Sequence, residues 1–240
     1  MDGPLKGYLW TTRSSYEYIL GDYEDPQVIE TFCSLLKPHS VFYDLGANVG
    51  FHSLLANRYI TKGKIYSFEP QPGVRKIFES HIALNKKRMP GCNIEIFPFA
   101  ISDTEKEVLF SDDLKQTDGN TYIKSSPVFT AAENTITVKC YSLDGLMEAG
   151  YAPPGIIKID VEGAEYDVLQ GAVQTLQHYK PAILLATHEC HLPGVKENCV
   201  HFLEALGYQL THTGNHNKQV PGLDDYIAVH PGKYPKSSLV

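Results

Sequence analysis

The sequence lacks both a long basic run and a long apolar run. Its formal net charge is −7, and its longest basic cluster is Lys86-Lys87-Arg88. A nucleic-acid-binding surface needs a basic footprint to neutralise phosphates, so we expect no nucleic acid among the partners. No stretch approaches the roughly 18 apolar residues of a membrane span, and the N-terminus lacks a charged-then-apolar signal pattern. We therefore expect a cytoplasmic protein with no membrane partner.

Cysteine is scarce and scattered. The five cysteines form no Cys-x-x-Cys pair, which favours reduced thiols over a disulfide framework. Cys199 and His201 follow the histidine-rich stretch 188–191, but positions two apart on a helix face different ways. We therefore predict no structural zinc site.

Apolar strands and amphipathic helices alternate along the chain. Strands at 40–45 and 64–69 precede helices at 49–59 and 74–85. The alternation predicts right-handed βαβ units and one doubly wound α/β domain over residues 1–240, with a mostly parallel, seven-stranded, Rossmann-like sheet. Ligands of such sheets bind beyond the carboxyl ends of the strands. The other predicted elements are strands at 93–102, 155–160, 181–189, 208–213 and 225–230, and helices at 164–179 and 195–206.

Residues 1–39 precede the first strand and predict an N-terminal helical cap. Asp25-Pro26 is a helix-start pattern, and Pro38 ends the apolar periodicity that follows it. The segment is rich in tyrosine. Its candidates for walls of an acceptor pocket are Tyr16, Tyr18 and Tyr23.

Residues 103–150 interrupt the alternation. Strand-like pieces at 107–111, 121–124 and 135–141 are separated by polar turns. They predict an inserted β-hairpin over the sheet edge. Because such an edge exposes unpaired backbone groups, we also expect that it could support a homo-oligomer.

A glycine-containing loop, Asp44 to Gly50, follows the first predicted strand and indicates a nucleotide-type cofactor. Asn48 stands where a dinucleotide fingerprint requires glycine, which argues against NAD. S-adenosylmethionine carries no phosphate, so the loop needs only to hold its amino-acid end, with Asp44 near the positive charge and Asn48 offering an amide. Glu69 ends the second strand, where its carboxylate can accept hydrogen bonds from both ribose hydroxyls.

Three motifs resemble the FkbM-type methyltransferases, at residues 42–53, 68–70 and 157–165. The resemblance spans roughly residues 40–230. It implies a class I methyltransferase fold, S-adenosylmethionine as cofactor, and a position beside the transferable methyl group for residues 160–165. Residues 100–103 look like the adenine-side strand end of that family. The predicted cofactor-binding residues are Asp44, Gly46, Asn48, Gly50, Ser53, Glu69, Ala100, Ser102 and Asp160.

Ionisable residues gather around the end of the predicted fourth strand: Lys158, Asp160, Glu162 and Glu165. Lys158 and Asp160 share one strand face, because side chains two apart point the same way. His188 ends the next strand and is a candidate general base, with a pKa expected near the unperturbed value of about 6.5. We therefore predict Asp160, Glu162 and His188 as catalytic residues.

These residues predict a methyltransferase that acts on a hydroxyl oxygen of a small molecule or sugar. The Asp-Pro-Pro-Tyr type loop associated with methylation of base amino groups is missing after the fourth strand. Two alternatives remain open: an NAD-dependent oxidoreductase on a similar sheet, and a non-catalytic binding module. A divalent metal held by Asp160, Glu162 or Glu189 also remains open as a cofactor.

Overall fold

A seven-stranded sheet forms the centre of the fold. The computed structural model describes residues 3–12, 14, 16–20, 25–89, 91, 93–111, 135–214 and 221–234. Its strands are β1 (Val41–Leu45), β2 (Lys64–Phe68), β3 (Ile94–Phe97), β4 (Ala100–Ile101), β5 (Lys106–Ser111), β6 (Thr135–Tyr141), β7 (Ile156–Ile159), β8 (Ala182–His188), β9 (Gln209–Gly214) and β10 (Leu223–Val229). The main sheet has the order β3-β2-β1-β7-β8-β10-β9.

All strands of this sheet run parallel except β10, which pairs antiparallel with β8 and β9. The predicted doubly wound, mostly parallel sheet is therefore confirmed. The chain runs outward from β1 to β3 and then returns to place β7 on the other side of β1. The carboxyl ends of β1 and β7 thus flank the switch point, where open α/β sheets bind their ligands.

Helices cover both faces of the sheet. They are α1 (Tyr16–Leu20), α2 (Pro26–Leu35), α3 (Phe51–Ala56), α4 (Pro72–Asn85), α5 (Leu143–Glu148), α6 (Glu165–Gln170), α7 (Val173–Tyr179) and α8 (Val195–Ala205). Apolar residues of α2, α3 and α4 pack on one face, and those of α5 to α8 on the other. Successive residues of β1 point into opposite cores: Phe42 packs on the side of α2 to α4, and Tyr43 packs on the side of α5 to α8. Among the described helices, none is both long and apolar enough to cross a membrane.

The predicted N-terminal cap helix is α2. The Asp25 side chain accepts a hydrogen bond from the Gln27 N–H, and Pro26 occupies the first turn, as expected for a helix start. Tyr18 is buried in the core on this side. Tyr23 and the side chain of Tyr16 lie outside the described residues, so their place in the wall of an acceptor pocket stays a prediction.

The predicted strand 93–102 is wrong as a single element. It divides into β3, which edges the main sheet, and β4, which pairs with β6 in a separate three-stranded sheet of order β4-β6-β5. Pro98 lies between them, and proline cannot donate a ladder hydrogen bond. The chain therefore leaves the main sheet there.

The inserted region contains an antiparallel pair, as predicted, since β5 and β6 pair along their length. The predicted strand 121–124 lies outside the described residues. The end of the region differs from the prediction: residues 143–148 form helix α5, whose N-cap Ser142 accepts from the Gly145 N–H. The single domain over residues 1–240 and the homo-oligomer both stay predictions.

The predicted helix 164–179 is broken into α6 and α7. Gly171 lies at the break, and a Cβ there would sit 2.1 Å from the carbonyl oxygen of Ser102. The close approach of these two backbones therefore requires glycine.

Candidate active site

The loop after β1 meets the end of β7. Gly46 has a φ of +73°, and a Cβ there would lie 1.9 Å from the carbonyl oxygen of Asp160. Gly50 has a φ of +91°, and a Cβ there would lie 2.1 Å from the ring of Phe78. Side chains at either position would push the loop out of place. The two glycines thus allow the loop after β1 to lie against the end of β7 and against Phe78 of α4.

Glu69 is held at the end of β2 by two backbone donors. The Asn48 N–H donates to Glu69 Oε2 at 3.0 Å, and the Gln71 N–H donates to Oε1 at 2.8 Å. The contact to Asn48 is through its backbone, whereas the sequence predicted a role for its side-chain amide. Burial raises the pKa of Glu69 to about 7, against the opposing effect of the two N–H groups. Each carboxylate oxygen keeps acceptor capacity for a ligand hydroxyl.

Asp44 belongs to a buried hydrogen-bond chain. The Ser53 hydroxyl donates to Asp44 Oδ2 at 2.6 Å and lies 2.7 Å from the hydroxyl of Ser67 on β2. The other oxygen, Oδ1, is buried and accepts no hydrogen bond from the described residues; the ammonium of Lys158 lies 3.6 Å away. Asp44 therefore offers a negatively charged acceptor for a cationic ligand group.

Lys158 connects the two strand ends. Its ammonium donates to the carbonyl of Gly46 at 2.8 Å and lies 3.0 Å from Asp160 Oδ2. Burial opposes the positive charge of Lys158, but the carboxylates of Asp160 and Asp44 outweigh it and raise its pKa. The lysine is therefore charged and partly neutralises both acids.

His188, at the end of β8, is surrounded by carboxylates. Its Nδ1 lies 2.8 Å from Glu165 Oε1, and its Nε2 lies 3.5 Å from Asp160 Oδ1 and 3.4 Å from Glu162 Oε2. The ring of His191 stacks on it with centroids 5.2 Å apart, and His191 Nδ1 lies 3.0 Å from Glu162 Oε2. The three predicted catalytic residues are thus brought together.

The charge state of His188 differs from the expectation. Burial lowers its pKa, but the carboxylates of Glu162, Glu165 and Asp160 outweigh that effect and raise the pKa to about 10. His188 is therefore an imidazolium at neutral pH. The pKa therefore lies above the expected value near 6.5, because three carboxylates from the segment after β7 surround the ring. The role of His188 as general base stays a prediction.

Glu162 adopts a strained backbone conformation. Its φ is +56°, which costs a non-glycine residue of order 1–2 kcal/mol. Gly163 follows with a φ of +104°, and a Cβ there would lie 3.3 Å from Cβ of His191. The turn is stabilised where the Gly163 N–H donates to Glu165 Oε1 at 2.9 Å. This turn places the Glu162 side chain beside the two histidines.

The predicted adenine-side residues lie at the small sheet. Ala100 belongs to β4, and the Ser102 hydroxyl donates to Asp103 at 2.9 Å. Phe99, next to Ala100, lies 5.5 Å from the ring of Phe68, which precedes Glu69, so aromatic rings link the small sheet to the end of β2.

Some of the candidate metal ligands lie together in the structure, and others do not. Glu189 accepts from the Gly194 N–H at 2.6 Å and the Lys196 N–H at 3.1 Å, so it anchors the start of α8. Cys199 is buried in the core. Among the described residues, Asp160, Glu162 and His188 place possible ligand atoms within 4.8 Å of one another.

A cavity of about 30 Å³ adjoins Asp160 on the side of α2. The Thr213 hydroxyl in its wall is buried and has no hydrogen-bond partner among the described residues. Other lining residues include Val28, His52, Ala186, Asp225 and Tyr226.

The predicted catalytic and cofactor-binding residues omit Lys158, Ser67 and His191. The sequence places Lys158 beside Asp160 but assigns it no role, although a lysine inside an otherwise apolar strand needs a counter-charge. Ser67 and His191 carry no comparable signal, because their contacts come from the pairing of strands and from a loop turn.

Comparisons with known proteins give the family and the fold of this chain. The model of the FkbM methyltransferase domain matches residues 44–213, well over half of the chain. A crystal structure of an FkbM methyltransferase from Methylobacillus flagellatus has the same fold, with a TM-score of 0.58 and 16% identity over 87% of this chain and 49% of that one.

Two relatives have names that describe their activity. The hexuronic acid methyltransferase AglP of Haloferax volcanii is 29% identical over 154 residues, 64% of this chain and 58% of that protein. The 2-O-methyltransferase NoeI of Sinorhizobium fredii is 29% identical over 155 residues, 59% of this chain and 61% of that protein. The chain thus covers less than two thirds of either relative. With its fold, strand-end carboxylates and matched domain, the chain belongs to the FkbM methyltransferase family.

Proposed function

We propose that this chain transfers a methyl group from S-adenosylmethionine to a hydroxyl oxygen of a small, sugar-like acceptor. The observation that carries the proposal is that carboxylates from both sides of the switch point lie close together. Asp44 and Glu69 lie on the β1–β2 side, and Asp160 lies on the β7 side, with Gly46 against its backbone. Family membership supports the cofactor.

The residues present fit this cofactor, which supplies an electrophilic methyl group on a sulfonium centre. Glu69 would accept hydrogen bonds from the ribose hydroxyls, and Asp44 Oδ1 would face the ammonium group. Asn48 in place of a glycine disfavours the NAD-dependent alternative, because a pyrophosphate needs close approach to that backbone.

Asp160 is the proposed acceptor of the proton. Its side chain is 22% exposed, with Lys158 at 3.0 Å and His188 at 3.5 Å. A carboxylate is ordinarily a weak base. A weak base suffices, because the acceptor oxygen becomes strongly acidic as its bond to the methyl carbon forms and the carbon–sulfur bond breaks. His188, already protonated, orients Asp160 and Glu162.

The acceptor class rests on the relatives. One relative is named for hexuronic acid and the other for 2-O-methylation. The cavity beside Asp160 offers the Asp225 carboxylate, the Thr213 hydroxyl and the Tyr226 ring. Such groups can bind hydroxyls, but the cavity of about 30 Å³ is far smaller than a ligand pocket of roughly 300 Å³ or more, so the relatives carry the assignment of a sugar-like acceptor. The net charge of −7 supports a small acceptor over a nucleic acid.

A divalent cation at Asp160, Glu162 and His188 is the second candidate, on the basis of the 4.8 Å grouping of their ligand atoms. Its binding would require Nε2 of His188 to lose its proton. The cation would then lower the pKa of the acceptor hydroxyl in place of the base.

Thermal-shift titration and a turnover assay test the proposal. S-adenosylmethionine and S-adenosylhomocysteine should raise the melting temperature, and NAD should not. S-adenosylhomocysteine formation should then appear with a member of a panel of neutral sugars and hexuronic acids. The Asp160→Asn variant should lose more turnover than cofactor affinity. Cofactor binding with no turnover on any acceptor would favour the non-catalytic binding module instead.

A further inference from the structure

An N-terminal strap, residues 3–12, packs along α4. The Leu9 N–H donates to Asn85 Oδ1 at 2.7 Å, and Asn85 Nδ2 donates to the Leu9 carbonyl at 2.7 Å. Two residues further on, the Thr11 N–H lies 3.1 Å from Nε2 of His81. Two side chains of α4 thus hold residues 9–11 of the strap, while the Arg58 guanidinium donates to the carbonyls of Pro4 and Lys6.

His81 also contacts the cofactor loop. It is fully buried, and its Nδ1 lies 2.9 Å from the carbonyl oxygen of Val49. A carbonyl only accepts and a backbone N–H only donates, so Nδ1 carries the proton and Nε2 accepts from Thr11. Burial lowers the pKa of His81 to about 4, which is consistent with this neutral form. One neutral imidazole therefore joins the strap to the loop.

The loop contact lies next to the proposed cofactor site. Val49 follows Asn48, whose N–H holds the Glu69 carboxylate. A shift of the Val49 carbonyl would therefore move the donor that orients Glu69.

Aromatic rings extend the same contact. Trp10 stacks on His81 with centroids 3.7 Å apart and an interplanar angle of 18°. Trp10 lies 5.5 Å from Tyr18, and Tyr18 lies 5.6 Å from Phe51, next to Gly50. The strap, helix α1 and the cofactor loop thus form one packed unit.

We propose that His81 is a positioning residue that couples docking of the N-terminal strap to binding of the cofactor at the loop of residues 46–50. The inference rests on the proposed function, because it takes this loop as the cofactor site. Coupling is reciprocal: a docked strap raises cofactor affinity, and bound cofactor stabilises the docked strap by the same factor.

Two substitutions test the coupling, one on helix α4 and one on the strap. His81→Phe keeps a ring to stack on Trp10 but removes both nitrogen contacts. Thr11→Pro removes both contacts of the strap to Nε2 of His81, the N–H and the side-chain hydroxyl that lies 3.1 Å away, and leaves the contact between His81 and Val49 in place. Each should weaken S-adenosylhomocysteine binding by about 5-fold or more and raise KM for S-adenosylmethionine with little change in kcat. Ser80→Ala, an exposed position on α4, is the matched control.

Trp10 provides a readout that a merely structural role would not give. It is the single tryptophan of the chain, so its fluorescence should respond to S-adenosylhomocysteine in the wild type, and less in Thr11→Pro. Wild-type affinity in folded Thr11→Pro, or an unresponsive Trp10 in a wild type that binds the ligand, overturns the coupling. A wild type that binds no ligand contradicts the proposed function itself, and the inference falls with it.

Discussion

His188 Nδ1 and Glu165 Oε1 lie 2.8 Å apart in a fully buried contact. The second oxygen of Glu165 accepts no hydrogen bond from the described residues. The His188 ring and the Gly163 N–H together satisfy Oε1 of this buried carboxylate. The contact also turns Nε2 of His188 toward Asp160 and Glu162, so one buried pair sets the geometry of the proposed catalytic carboxylates.

Glu165→Gln removes the charge while keeping the shape of the side chain. The pKa of His188 should fall, because one of the carboxylates that raise it is lost. Breaking a buried ion pair should cost about 3 kcal/mol of unfolding free energy. NMR titration of the His188 ring and urea unfolding measure the two effects. The exposed Glu197→Gln is the control and should change neither; an unmoved His188 titration in Glu165→Gln contradicts the charge assignment.

The dependence of turnover on pH follows from the same cluster. The His188 pKa is raised from 6.5 to about 10, so its positive charge is present at neutral pH and is lost as pH rises through that value. The rate constant kcat should not increase through pH 6.5 on account of His188, and it should fall as pH approaches 10. A wild-type increase near pH 6.5 that disappears in His188→Asn would mean that the histidine is the base after all.

Glu69 should control cofactor affinity. Its pKa is raised to about 7 by burial, and the ionised form is the stronger acceptor for hydroxyls. Affinity for S-adenosylhomocysteine should therefore increase as pH rises through 7. Glu69→Gln should cost about 1.5–3 kcal/mol of binding free energy and flatten this dependence in calorimetric titrations. Glu95→Gln, half-exposed on β3, is the control; equal affinity in the two variants would remove Glu69 from the cofactor site.

Metal removal separates the two candidate mechanisms. If His188 is protonated, its Nε2 cannot bind a cation, so dialysis against EDTA should leave turnover unchanged. Loss of activity in EDTA, with recovery on addition of Mg²⁺, would instead support the metal arrangement at Asp160, Glu162 and His188.

The main sheet was predictable because buried parallel strands are continuous apolar runs that end at recognisable turns. The loop from Asp44 to Gly50 and the carboxylate at Glu69 could be located for the same reason, since ligand-binding residues follow strands. The predicted element boundaries were wrong where a run of similar residues continues past the point at which the folded chain ends one strand or helix and begins another. Pro98 divides one strand-like run between two sheets, and Gly171 divides a helix because the backbone of Ser102 comes close.

The charge state of the site could not be predicted in this way. A histidine at a strand end has an ordinary pKa unless charged neighbours are known, and Glu162 approaches His188 through a turn with a positive φ. Likewise, the contact between Thr11 and His81 joins residues 70 positions apart. Neither relationship follows from spacing along the chain.

Methyl transfer to oxygen can be tested directly by isotope labelling. The protein is incubated with S-adenosylmethionine labelled with ¹³C in the methyl group and with the best acceptor from the sugar panel, and the product is analysed by NMR. We expect a new ¹³C-methyl signal coupled to a sugar carbon through an ether oxygen, absent with Asp160→Asn. A labelled methyl group on nitrogen or carbon, or no transfer to any acceptor by a protein that binds the cofactor, would contradict that expectation.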